Sequence, residues 1–232
     1  MEIPLQSVLL AEVFAENLSR CSTSSTVELP EYIDVIMLFD WYVQKKWHIY
    51  LSEKKLSDRT NVKGITDDDV LYDIFTENHK AAALMALLST QHLEKLKDKN
   101  MEKNGSIFLQ QIDQGLEKTG IITAIKEGQP VFQNRTFGEY LVARQLCDNV
   151  SASQVFKRDH LFEAGFGVVR SMVDRILANK RPSHRAVLNS NMQHVARLLK
   201  TKESTTQKDL GGRTLLHVAI SCRSPELIRL LL

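Results

Sequence analysis

Residues 209–219 run Asp209-Leu210-Gly211-Gly212-Arg213-Thr214-Leu215-Leu216-His217-Val218-Ala219, and the chain continues through Ser224-Pro225-Glu226 to Leu230-Leu231-Leu232. Shifted back by 33 positions, this stretch overlays an earlier one: His217 falls on His184, Ala219 on Ala186, Ile228 on Val195, Leu231 on Leu198 and Leu232 on Leu199. A fixed period of this size marks stacked supersecondary units, none of which can bury its apolar face alone. In the later copy Gly212 permits a tight turn, Thr214 can cap a helix and bond the His217 imidazole, and Ala219 lets paired helices approach closely. Leu216, Leu227, Ile228, Leu231 and Leu232 supply the apolar positions between units. His217 and His184 are read as structural rather than as catalytic or metal-binding groups.

Upstream of the repeat, Ser153 to Phe162 and Val168 to Leu177 read as two helices separated by Gly165 and Gly167. Arg135 to Leu146 carries Phe137, Tyr140, Leu141, Ala143 and Leu146 at helical spacing. Before it, the β-branched run Ile121 to Ile125, a turn over Lys126 to Gln129 and a second extended run Pro130 to Gln133 predict a two-stranded hairpin. A helix with Ile107, Phe108, Ile112 and Leu116 on its face precedes them, with Gly120 as its left-handed cap. A helix followed by a β-hairpin is the unit of a winged helix.

The first hundred residues predict helices. Leu5 to Leu18 places Leu5, Val8, Leu9 and Val13 on one face, and Pro4 suits a first helical turn. After a polar loop over Ser22 to Thr26, a long segment from Glu28 to about Lys55 carries Ile33, Ile36, Met37, Phe39, Trp41, Tyr42, Trp47 and Tyr50, a density of aromatics that belongs to a core. Thr66-Asp67-Asp68-Asp69 reads as an N-cap and acidic first turn, not as a cation site, ahead of Val70, Leu71, Ile74 and Phe75. His79 to Leu88 continues that helix, and the charged run Lys95 to Lys103 reads as a solvated helix end and loop. The expected fold is mainly α: a helical bundle with a winged-helix unit and one short β-hairpin, then the start of an α-solenoid. The expected division is a helical region over 1–100, a winged-helix-like unit over 101–150, connecting helices over 151–180 and partial repeats over 181–232.

Composition limits function. The 232 residues are 43% hydrophobic and 25% charged, which suits one large or two small globular domains and excludes a low-complexity chain. The net charge of +2 gives no overall support to a nucleic-acid or membrane-surface role. The balance is uneven, with 16 basic against 22 acidic residues in 1–156 and 14 against 6 in 157–232, a shift that hints at two modules. Cys21, Cys147 and Cys222 lack metal-ligand or disulfide-framework spacing and fit a reducing compartment. The N-terminus lacks the pattern of a signal peptide, no window suits a membrane helix, and the expectation is an intracellular, cytoplasmic protein. The sequons at Asn17, Asn104, Asn134 and Asn149 are then chance matches.

Two resemblances rest on particular residues. Asp209, Gly212, Thr214, Leu216, His217 and Ala219 resemble the turn and first helix of an ankyrin repeat, in that family's order and at its 33-residue period; Leu215 departs from it, standing where the family usually has Pro. Pro4-Leu5-Gln6, Leu9 to Phe14, Leu71-Tyr72-Asp73-Ile74-Phe75, Gly120-Ile121-Ile122 and above all the block from Phe132 to Ala143, with Arg135-Thr136-Phe137-Gly138-Glu139-Tyr140, resemble the region after the nucleotide-binding core of NACHT-type signalling ATPases, insect ankyrin-repeat members included. The resemblance covers roughly residues 3 to 180 and implies a helical segment, a winged helix and a helical arm joined to a recognition solenoid. It also implies that Pro4 and Asn134 face a nucleotide. At the position of Asn134 many members carry a phosphate-reading His, whose imidazolium charge an Asn cannot supply.

The chain has no GxxxxGK[ST] motif, so ATP hydrolysis by this chain alone is not expected, nor is a resident cofactor or metal. GxSxG, HExxH and GxGxxG are also missing, and a Cys147–His160 pairing is outweighed by the place of Cys147 on an apolar helix. The expected function is a non-catalytic, protein-interacting and regulatory fragment of a longer signalling ATPase-like ankyrin-repeat protein. Its partners are proteins bound through the repeats, and nucleotide enters only if an upstream ATPase core is present. The alternative is a nucleic-acid-binding winged helix reading a major groove with Ser106 to Lys118, a helix too acidic for good phosphate contacts. An enzyme with an unrecognised site is the third class.

Overall fold

The computed structural model describes residues 7, 9, 11–13, 33–58, 68–96, 99–200 and 206–232. Among the described residues the chain is mainly helical, with one small two-stranded antiparallel sheet. It divides into two compact units, 1–142 and 143–232. Among the described residues no helix is long and apolar enough to cross a membrane.

Unit one contains α1 (Val35–Asp58), α2 (Asp68–Leu87), α3 (Thr90–Leu96), α4 (Lys99–Asp113), β1 (Ile122–Lys126), β2 (Gln129–Phe132) and the first half of α5 (Arg135–Asp148). Of the segment Leu5 to Leu18, residues 7, 9 and 11–13 are described and helical; Leu9 is buried, and Glu12 pairs with Lys46 at 2.6 Å. Asp34 opens α1, accepting from the Ile36 backbone N–H at 2.7 Å.

The aromatic density of α1 becomes core. Phe39 meets Phe137 edge-on at 5.1 Å and stacks on Tyr140 at 5.0 Å, while Tyr42 tilts against Phe137 at 4.5 Å. The Tyr42 hydroxyl donates to Gln133 and the Tyr140 hydroxyl to Asp40, so each ring is anchored at its polar tip. Further along α1, Trp47 and Tyr50 pack on Phe75 of α2, at 5.3 and 5.2 Å.

α2 and α4 are tightly paired. Ala81, Ala82 and Ala83 are buried, and a Cβ on Gly105 would lie 2.7 Å from Met85 Sδ, 3.2 Å from Ala81 Cβ and 3.3 Å from the Ala81 carbonyl carbon. Gly105 therefore sits directly against Ala81, with the Met85 side chain closing over the contact. Gly105→Val should push the two helices apart and lower stability by about 1–3 kcal/mol, the usual result of overpacking. Urea unfolding checks this, and an unchanged midpoint would refute the close approach.

Val70 and Ile74 are exposed, because α2 turns Phe75, His79 and its alanine run inward. Two local expectations need correction here. The charged run Lys95 to Lys103 is not simply a solvated end and loop: α4 already begins at Lys99, continuing into the Gly105 contact that secures it. Ile107 and Leu116 are exposed while Phe108 and Leu109 are buried, and although Gly120 is left-handed as expected (φ +69), α4 ends at Asp113 and the left-handed residue just past it is Gly115 (φ +72). The strands follow the expected hairpin, pairing from Ile122↔Phe132 to Lys126↔Gln129 with an irregularity between Ile122 and Ala124. Glu127 and Gly128 both have positive φ, as a two-residue hairpin turn requires. α2, α4 and β1 share a core of Ala82, Phe108, Leu109 and Ile122.

Unit two contains the second half of α5, then α6 (Val150–Asp159), a short 3-10 turn (Ala164–Phe166), α7 (Gly167–Ala178), α8 (Pro182–Leu188), α9 (Met192–Leu199), α10 (Leu215–Ser221) and α11 (Pro225–Leu231). Gly167 does not separate helices but begins α7, and the first of the two expected helices ends at Asp159, leaving Phe162 exposed. Ser153 Oγ and Lys157 Nζ both donate to the Leu146 carbonyl, at 2.7 and 3.1 Å, which satisfies one of the orphan acceptors near the end of α5. A separate core of Ala186, Val187, Val195, Leu215, Val218, Ala219 and Leu227 joins the last four helices.

Candidate protein-interaction module

The period found in the sequence is also present in the backbone. α8 and α10 start at 182 and 215 and end at 188 and 221; α9 and α11 start at 192 and 225. The connection inside each hairpin repeats as well. Ser190 and Arg223 take left-handed φ values of 52° and 53°, and Asn191 and Ser224 then cap the following helix by accepting from His194 N at 3.0 Å and Leu227 N at 3.4 Å. The backbone amides of Asn191 and Ser224 donate to the carbonyls of Ala186 and Ala219, at 2.9 and 3.3 Å. Two helical hairpins are thus built by the same hydrogen bonds.

The hairpins are tied by an imidazole and a turn. His184 is buried, and its Nε2–H donates to the Arg213 carbonyl at 2.8 Å, reaching from the first hairpin to the entrance of the second. Burial lowers the pKa of His184, against the opposing pull of that carbonyl bond. His217 is exposed; its Nδ1 accepts from Thr214 Oγ1 at 2.6 Å and lies 3.3 Å from the Thr214 amide, a reciprocal cap at the start of α10. Ala219 and Leu215 are fully buried in the inter-hairpin core and Leu216 is half-buried. Gly212 sits at φ +76 in the turn, its amide donating to the Asp209 carbonyl at 3.0 Å.

Sequence patterns do not show the charge cluster that holds this turn. The buried carboxylate of Asp209 accepts from the amides of Gly211 and Arg213, both at 2.9 Å, and from Arg213 Nε at 2.9 Å. Asp174, on α7, takes the other arm of the Arg213 guanidinium. Burial alone would lower the Arg213 pKa, but Asp174 and Asp209 outweigh it and raise it. Asp174 and Arg213 are 39 residues apart, so no local spacing announces the pair. The turn gains two further anchors on unit two: Leu210 N donates to Leu177 O at 3.2 Å and Arg181 Nε to Lys208 O at 3.1 Å. The side chain of Leu210 stays exposed at its tip.

No family model, curated protein or solved structure matches the chain. Function therefore has to be read from residues. Of the two positions that the NACHT resemblance turns toward a nucleotide, Pro4 lies outside the described residues. Asn134 follows β2, and its Oδ1 accepts from the Thr136 amide at 2.9 Å, which starts α5. The Cys147 thiol is pushed up to about 12, chiefly by burial, and so stays protonated, the wrong state for a nucleophile. In the acidic run near residue 68, Thr66 and Asp67 are outside the described residues and Asp69 is an exposed residue of the first turn of α2.

Proposed function

We propose that the chain is a non-catalytic, protein-interacting and regulatory segment of a signalling ATPase-like ankyrin-repeat protein, working in the cytoplasm. The observation that carries this reading is the pair of hairpins repeating at 33 residues in both sequence and backbone, with His184 bonded across to the next turn. Such repeats present a rigid surface with a projecting turn, and recognition by loops on a rigid scaffold is how they serve. α4 followed by β1 and β2 supports the winged-helix part of the reading. Nucleotide enters only through an upstream ATPase core, against which Pro4 and Asn134 would lie.

The test is retention of a partner by the immobilised full chain from an extract of its own source. The expected result is a discrete protein that survives nuclease treatment, is lost with Leu210→Asp at the exposed tip of the turn, and is kept with Ile49→Asp on α1. Retention that nuclease abolishes would replace this reading with nucleic-acid binding. Retention indifferent to Leu210→Asp would remove the repeats as the recognition surface.

A further inference from the structure

Beside the Asp174–Arg213 pair, a cavity of about 160 Å³ opens in unit two. One face of α7 supplies Gly167, Arg170, Ser171 and Arg175; Ser221 and Cys222, at the end of α10, lie opposite. The volume is below the roughly 300–1,000 Å³ of pockets for drug-sized ligands, so it suits a single functional group. Its chemistry is that of donors. Arg170 and Arg175 bring positive charge and forked N–H arrays to the lining, beside Ser171, the Cys222 thiol and Ser221, whose hydroxyl donates to the His217 carbonyl at 3.1 Å.

Both arginines are held in place. The Arg170 guanidinium lies over the Phe162 ring at 5.3 Å, which gives that exposed aromatic a role, and Arg175 Nη1 donates to Asn189 Oδ1 at 3.2 Å. Holding long side chains in advance reduces the entropy lost when a ligand arrives. The carboxylate in the lining, Asp174, is paired with Arg213, whose guanidinium offsets its charge. Cys222 adds no negative charge, because burial, with Asp174 adding to it and Arg213 and Arg175 opposing it, raises its thiol pKa. Gly167 leaves the wall open, since a Cβ built there would meet nothing within 4 Å.

We infer that this cavity binds a phosphoryl group, with Arg170 and Arg175 gripping its oxygens and Ser171 donating to them. Bidentate contact with a tetrahedral oxyanion is the use to which paired arginines are best suited. The site is independent of the function proposed above, because a small phosphate and a phosphorylated side chain present the same oxygens.

The experiment titrates the ¹⁵N-labelled full chain with sodium phosphate near neutral pH, against sodium chloride of matched ionic strength, and follows the arginine Nε–Hε resonances. Saturable shifts of two arginines in the millimolar range are expected with phosphate and not with chloride. The double variant Arg170→Gln, Arg175→Gln, which removes both charged contacts, should weaken binding about tenfold or more. Gly167→Glu, which has room for its side chain and places a carboxylate at the mouth, should do the same while leaving the melting temperature unchanged. A phosphoserine peptide that binds more tightly than phosphate, with its unphosphorylated twin silent, places the group on a protein; equal binding places it on a small molecule, and both uphold the site. No saturable shift, or affinity unchanged in both variants, overturns it.

Discussion

Arg213→Ala should destabilise unit two by about 3–5 kcal/mol, the usual result of removing one partner from a buried ion pair. The effect is large because the loss is not confined to one bond. Asp209, with its side chain wholly inaccessible, would keep its two backbone donors but lose the guanidinium, and Asp174 would lose the arm it shares. Two carboxylates would then be left short of charge in a poorly solvated place. The turn carrying Leu210 would loosen, and the Arg213 carbonyl that receives the His184 proton would shift with it. Urea unfolding read by circular dichroism, with hydrogen exchange of the α10 amides, measures both effects. Arg213→Lys should recover only part of the loss, since an ammonium cannot fork between two carboxylates. A loss below about 1 kcal/mol in the alanine variant, the range of an exposed pair, would mean that the cluster is solvated and contributes little.

The second large effect is acid sensitivity in unit one. His79 is fully buried between Phe75 and Phe108, with ring centroids 4.3 and 5.0 Å away. Its Nδ1–H donates to the Phe75 carbonyl at 2.7 Å, while Nε2 is buried with no partner among the described residues. Burial pushes its pKa down to about 4, against the smaller raising effect of the Phe75 bond. The fold therefore holds the neutral ring, whereas the unfolded chain takes a proton at about 6.5. Between these values the unfolded state binds the extra proton, so stability is full above pH 6.5 and falls as pH drops toward 4, by about 3 kcal/mol. His79→Leu removes the titration, so the difference in stability between variant and parent should move by that amount in the variant's favour between neutral pH and pH 4. A difference that stays constant with pH would show that His79 does not titrate differently on folding.

How far the sequence discloses the molecule depends on whether a feature is periodic. The 33-residue shift between His184 and His217 reappears in helix starts, caps and left-handed turns, because each hairpin is built from local hydrogen bonds that its own residues encode. The β-hairpin is legible for the same reason, with a β-branched run on one side and Gly128 in the turn. Features that depend on a distant neighbour are not legible. The early start of α4 joins a helix whose Gly105 looks like a weakness until Ala81 is seen against it. Ile74 and Ile107 look like core residues on hydrophobicity alone, yet α2 and α4 turn other faces to each other. The arginine cavity brings α7 together with the end of α10, about fifty residues later, and chain order carries no sign of that meeting.

Stacked hairpins ordinarily lend themselves to piecemeal unravelling, each copy answering only to the one before it. The Arg213 guanidinium changes that accounting here. Asp174 belongs to α7, before the first hairpin, and Arg213 stands at the entrance of the second, so the tie skips a whole copy. Peeling away the second hairpin strips a counter-ion from α7 and takes the His184 acceptor from the first. Helices α7 to α11 are therefore expected to gain and lose their order as one cooperative block, in place of a ladder of independent rungs.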